Sequence, residues 1–171
     1  KPLQPEGIAS AAYGSPKWTA STGEDRYRRS LYTYTKRTAP FAMFNTFDAP
    51  SGESCTAKRN RSNTALQALT VLNDVMFLDI AKQFGTTLSK QDYSHPANVE
   101  AAFLRILSRP PNEIEMRTVT RYYQSLLNEY KANPKLAKTL VGIEGEAGTE
   151  AAAWTGVVRM LFSTDEAINK N

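Results

Sequence analysis

The 171-residue sequence has a single cysteine, Cys55, and a single histidine, His95. One thiol forms no internal disulfide, and one imidazole builds no conventional zinc, haem or catalytic-dyad cluster from this chain alone. Long hydrophobic runs are also missing. The longest near the C-terminus stops at Arg159, far short of the ~20 residues that span a bilayer. There is no internal repeat, no low-complexity tract and no signal sequence before Lys1, so the chain reads as the C-terminal piece of a longer protein. What is present is ordinary globular material, with 41% apolar and 22% charged residues. Collagen-like, coiled-coil and disordered classes are thereby excluded. The length predicts a single domain, 1–171, able to bury roughly 70% of its unfolded-chain surface.

Charge and aromatic residues are unevenly placed. Residues 26–61 hold eight bases (Arg26, Arg28, Arg29, Lys36, Arg37, Lys58, Arg59, Arg61) against two acids, whereas the whole chain carries only +4. Tyr13, Trp18, Tyr27, Tyr32, Tyr34, Phe41, Phe44 and Phe47 lie in the first 50 residues. Residues 1–62 therefore read as a basic, aromatic arm and 63–171 as a nearly neutral helical body.

The body is a series of amphipathic helices. Thr64 and Gln67 form a potential capping box before Leu66, Leu69 and Leu72. Asp74 is a good N-cap for a helix with the stripe Phe77, Ile80, Ala81, Phe84 and Leu88. A third helix opens at Pro96, with Val99, Ala102, Phe103, Ile106 and Leu107 on one face, and is closed by Pro110 and Pro111. Asn112 with Glu115 caps the longest helix, striped by Val119, Tyr122, Tyr123, Leu126, Leu127 and Tyr130. Asn133-Pro134 starts a short helix through Leu140, and 142–148 reads as a mobile acidic loop whose Glu144 and Glu146 are solvated. A last helix from near Thr149 buries Trp154, Val157, Val158, Leu161 and Phe162.

The expected fold is mainly α: a bundle of five or six amphipathic helices around one core, strapped by a largely irregular N-terminal arm. Residues 31–35 are good strand formers and offer a short strand within that arm.

The chemically unusual stretch is 28–74. Asp48, Arg59, Arg61, Asn63, Thr64, Gln67, Asn73 and Asp74 crowd polar groups around one helix start, whose free N–H groups favour an anion. Guanidinium forks suit carboxylate, sulfate or phosphate. The same residues equally make a structural clasp, with Asp48 paired to Arg59 or Arg61 and Asn63 or Thr64 capping the helix. Cys55 is expected to be a buried, inert thiol. His95 is expected to be a cap or surface residue. Nucleic-acid binding is disfavoured, because the aromatics fit no RNA-recognition sheet motif and no zinc-finger spacing exists.

Arg28-Arg29-Ser30-Leu31-Tyr32-Thr33, Lys36-Arg37-Thr38, Phe47-Asp48-Ala49-Pro50, Cys55-Thr56, Arg59, Arg61, Asn63-Thr64, Leu66-Gln67-Ala68-Leu69 and Leu72-Asn73-Asp74 follow a family pattern in order. With Leu107, Arg109-Pro110-Pro111 and Ala153-Trp154, the chain resembles the "PSD" C-terminal module of planctomycete cytochrome-c-associated proteins, a domain of unknown function. Ala65 and Val75 depart from the pattern, standing at first-turn positions where the family usually has proline.

The resemblance implies an exported, extracytoplasmic multidomain parent. Cys-x-x-Cys-His is absent, so this chain is expected to hold no cofactor, and any haem belongs elsewhere in that parent. The leading expectation is a non-catalytic interaction or scaffolding module. Its expected partners are the parent's other domains or an acidic or sulfated glycan. The rival is a hydrolase acting on extracellular polymer, with Asp48 as acid/base and Arg59 and Arg61 stabilising negative charge.

Overall fold

A computed structural model describes residues 1–4, 18–36, 39–91 and 95–169. The chain divides into two compact units, Lys1–Thr64 and Ala65–Asn171. Tyr13, Arg37 and Thr38, read above as part of the basic arm and its family pattern, lie outside the described residues.

The first unit is built from turns. A 3-10 turn spans Gly23–Tyr27, a second spans Ser30–Tyr32, and one short helix, α1, covers Ala42–Thr46. The strand expected at 31–35 does not form. Tyr32 N donates to Arg29 O and Thr33 N to Ser30 O, closing a tight turn, and Lys36 forms an isolated bridge with Ala39. Strand propensity expresses packing against a neighbouring strand; among the described residues none is present. The indole of Trp18 stands 5.7 Å from the Tyr34 ring and donates from Nε1 to Pro2 O at 3.0 Å.

The second unit is the helical bundle. Its elements are α2 (Ala65–Asn73), α3 (Val75–Lys90), α4 (His95–Leu107), α5 (Glu113–Ala132), α6 (Pro134–Val141), α7 (Gly145–Phe162) and α8 (Asp165–Ile168). Local signals set several boundaries. The Asp74 carboxylate accepts from Met76 N at 2.8 Å and starts α3. Asn112 and Glu115 complete a reciprocal capping box on α5. The α4 helix stops at Leu107, where Ser108 takes a left-handed conformation (φ 61°) ahead of the two prolines.

Helix α7 occupies the centre, and every other helix of this unit packs on it. Ala151, Ala152, Ala153, Trp154, Val157, Val158 and Leu161 are buried around its circumference, as a helix surrounded by others requires. Helix α3 approaches it closely. A Cβ on Gly85 would stand 2.5 Å from Thr155 N and 2.6 Å from Thr155 Oγ1, so this crossing demands glycine.

Helix α7 begins at Gly145 rather than near Thr149, which shortens the expected acidic loop to 142–144. Its two early glycines mask the helical pattern in sequence, because glycine is a poor helix former. Gly148 is needed there, since a side chain would collide with the Ile143 carbonyl. The face of α2 also differs from expectation. Gln67 and Val71 are buried, whereas Leu66 and Leu69 are 59% and 56% exposed.

Candidate functional site

The eight residues singled out in sequence distribute between the two units. Asp48, Arg59, Arg61, Asn63 and Thr64 belong to the first; Gln67, Asn73 and Asp74 belong to the second. Asp48 directly follows the C-cap of α1, in a left-handed conformation (φ 54°) that aspartate tolerates better than most residues. Its Oδ2 accepts from Ser62 N at 2.8 Å and Ser62 Oγ at 2.6 Å. The Arg59 Nε donates to Asp48 O at 3.0 Å, and Nη2 donates to Phe47 O. Arg59 thus caps main-chain carbonyls at the C-terminal end of α1, a favourable place for a cation.

These bonds close residues 48–62 into one loop. Arg59 hydrogen-bonds the Asp48 carbonyl and not its carboxylate, which differs from the clasp as drawn from sequence. Arg61 is exposed, and none of the ion pairs among the described residues includes it. Asn63 and Thr64 are exposed as well. Cys55 lies on the same loop and is exposed, contrary to the buried thiol expected, because residues 50–61 are all at the surface.

In the second unit, Gln67 is buried at 1% exposure. Asn73 Nδ2 donates to Leu69 O at 2.9 Å, and Asp74 caps α3. Asn73 and Asp74 thereby organise the junction of α2 and α3.

Sequence reasoning missed the strongest charged constellation. Arg109 uses all five of its N–H donors. Nη1 and Nη2 grip both oxygens of Glu115 at 2.8 and 2.7 Å, while Nε and Nη2 grip both oxygens of Glu166 at 2.8 and 2.7 Å. Nη1 also donates to Pro110 O at 3.1 Å, and the guanidinium lies 5.6 Å from the Phe103 ring centre. Hydrogen bonding to these carboxylates drives the arginine further toward its charged form. The Arg109 bonds hold the Glu115 carboxyl far below its usual range, at about 2, helped by the Asn112 N–H. They also lower Glu166. The α4–α5 turn is in this way tied to α8 by paired charge-assisted bonds. Asn112-x-x-Glu115 was legible as a cap, but Glu166 lies 57 residues from Arg109 and no local signal connects them.

The remaining candidates resolve simply. The His95 ring lies 5.0 Å from Tyr123 and 6.5 Å from Trp154, although the residue is exposed overall. Burial, with the nearby Glu150 charge, raises the Tyr123 phenol to about 12. Glu144 pairs with Lys138, and Glu146 with Lys131 at 3.8 Å, so both glutamates have partners that sequence did not show. Among the described residues no group of three or more His, Cys, Asp or Glu is placed to hold a metal ion. No described helix is long and apolar enough to cross a membrane.

The described residues comprise a turn-rich basic unit and a helical unit, a class that names no activity. The chain belongs to the PSD1 family of proteins of unknown function (DUF1553), whose model matches residues 1–123. That match covers the basic unit and the helices through Tyr123 of α5, while Ala153-Trp154 lies beyond it. No curated protein and no solved structure matches the chain.

Proposed function

We propose that this domain is a non-catalytic interaction or scaffolding module whose N-terminal unit binds an anionic partner. The supporting observation is where that unit puts its cations and rings. Leu31, Tyr32, Tyr34 and Tyr27 are exposed, Leu31 at 83% and Tyr32 at 62%. The Arg26 guanidinium lies 5.9 Å from the Tyr27 ring centre, and that of Arg29 lies 6.0 Å from Tyr32. Lys58, Arg59 and Arg61 are exposed on the 48–62 loop. Rings that support cations at a surface offer an apolar platform and a positive charge together.

Either an acidic or sulfated glycan or an acidic face of a neighbouring domain matches that chemistry. The family resemblance supports an exported, cytochrome-c-associated parent, with any haem carried by another of its domains. Binding of the full chain to dextran sulfate tests the reading. It is expected at low salt and to weaken as salt rises, and replacing Arg26, Arg29 and Arg61 together by glutamine is expected to abolish it. Undiminished binding by the triple variant, or none by the wild type, would overturn the reading.

A further inference from the structure

The helical body contains a second arginine whose surroundings contrast with those of Arg109. Arg159, in the last turn of α7, is half-buried. Its Nη2 donates to Leu72 O at 2.8 Å, which sets the guanidinium against the negative end of α2. Its Nε is buried and has no hydrogen-bond partner among the described residues. None of the ion pairs among the described residues includes it. The Tyr130 phenol on α5 is within electrostatic reach: burial pushes its titration up, and the Arg159 charge opposes that rise.

A guanidinium presents five N–H donors in a planar fork. A helix terminus supplies only about half a charge, so the Leu72 carbonyl does not neutralise the cation. A buried donor left without a partner carries the full desolvation cost of its missing bond and points to a ligand or a rearrangement that supplies one.

We propose that the Arg159 guanidinium is an anion site on the helical body, seated against the C-terminal end of α2, and that it takes a carboxylate. A carboxylate is planar, matches the fork with two parallel bonds and brings a single negative charge, the least an anion adds beside the negative end of α2. A dianionic sulfate or phosphate leaves net negative charge in a half-buried place, which disfavours it. This site lies on the other unit from the basic surface discussed above and stands independently of it.

The test uses the full chain, with sodium acetate as the free carboxylate and triglutamate as the same group on an acidic segment, each against sodium chloride at equal ionic strength. Acetate is expected to raise the melting temperature saturably and to shift the Arg159 Nε–H resonance. The Arg159→Met chain is expected to lose the temperature effect. A response to triglutamate alone assigns the carboxylate to a partner's acidic segment and supports the site equally. An Nε–H resonance that neither ligand moves would overturn the proposal, as would an equal temperature rise in Arg159→Met. The resonance is read on the wild-type protein, so the test survives a variant that fails to fold.

Discussion

The two units of this chain are held by different forces. In the helical body, thirteen buried residues form one cluster that includes Leu88, Phe103, Tyr123, Trp154 and Leu161. Among the described residues of the N-terminal unit, Ala39 is the buried apolar residue. Order there rests on polar closures, chiefly Arg59 on the Phe47 and Asp48 carbonyls and Asp48 on Ser62. A core without cations buries apolar surface efficiently, whereas a unit held by main-chain hydrogen bonds keeps its arginines and rings at the surface. Stability in the helical body thus resides in its core, while the exposed arginines and rings of the N-terminal unit are the surface on which the proposed binding rests.

That contrast can be broken most severely at Trp154. Its indole sits at the centre of the bundle, 4.4 Å from the Tyr123 ring. Trp154→Ala is expected to cost about 3–5 kcal/mol, read as an early loss of helical circular dichroism in denaturant. A cost below about 1 kcal/mol would show that α7 is not the organising element.

Next in size is the loop latch of the basic unit. Asp48→Ala removes the carboxylate that accepts from Ser62 N and Oγ, a loss of about 1–3 kcal/mol expected within that unit. Faster tryptic cleavage at Lys58, Arg59 and Arg61, with unchanged helical melting, is the expected signature. Parallel loss of bundle stability would dissolve the distinction between the units.

Acid sharpens the comparison within the body. The Glu115 carboxyl is depressed from 4.5 to about 2 in the folded state. A depressed acid binds protons more readily when unfolded, so its stabilisation is full above about pH 4.5 and disappears as pH falls toward 2. Melting temperature is therefore expected to drop across that window, and Glu115→Gln to flatten the drop. An unaltered pH slope in the variant would remove Arg109–Glu115 as a source of acid sensitivity.

The smallest effect is expected at Arg61. Because it is exposed and outside the ion pairs described, Arg61→Ala should change stability by no more than about 0.5 kcal/mol while weakening dextran sulfate binding. A loss of several kcal/mol would restore the buried clasp that sequence reasoning had drawn.

Much of the helical body was legible from neighbours in the chain. Asp74 and Asn112 announced their helices because a cap acts over two or three residues, and Pro110 blocked α4 whatever surrounded it. Residues 31–35 misled for the opposite reason: a strand requires a partner elsewhere, and Tyr32 closes a 3-10 turn instead. For the candidate cluster, residue type singled out Asp48 and Arg59, which the structure joins through the Asp48 carbonyl. Type alone leaves open whether an arginine meets a carboxylate or a carbonyl.

The sequence by itself determined the stripes of α3, α4 and α5, the Asp74 and Asn112 caps and the concentration of positive charge in 26–61, all of which depend on residues close along the chain. Tertiary structure alone decided that Glu166 completes the Arg109 fork, that Gly85 must admit Thr155, and that Arg159 ends against the α2 carbonyls. Those relations join positions 50 or more residues apart. At such separations the packing of whole helices, and no local propensity, sets which groups meet.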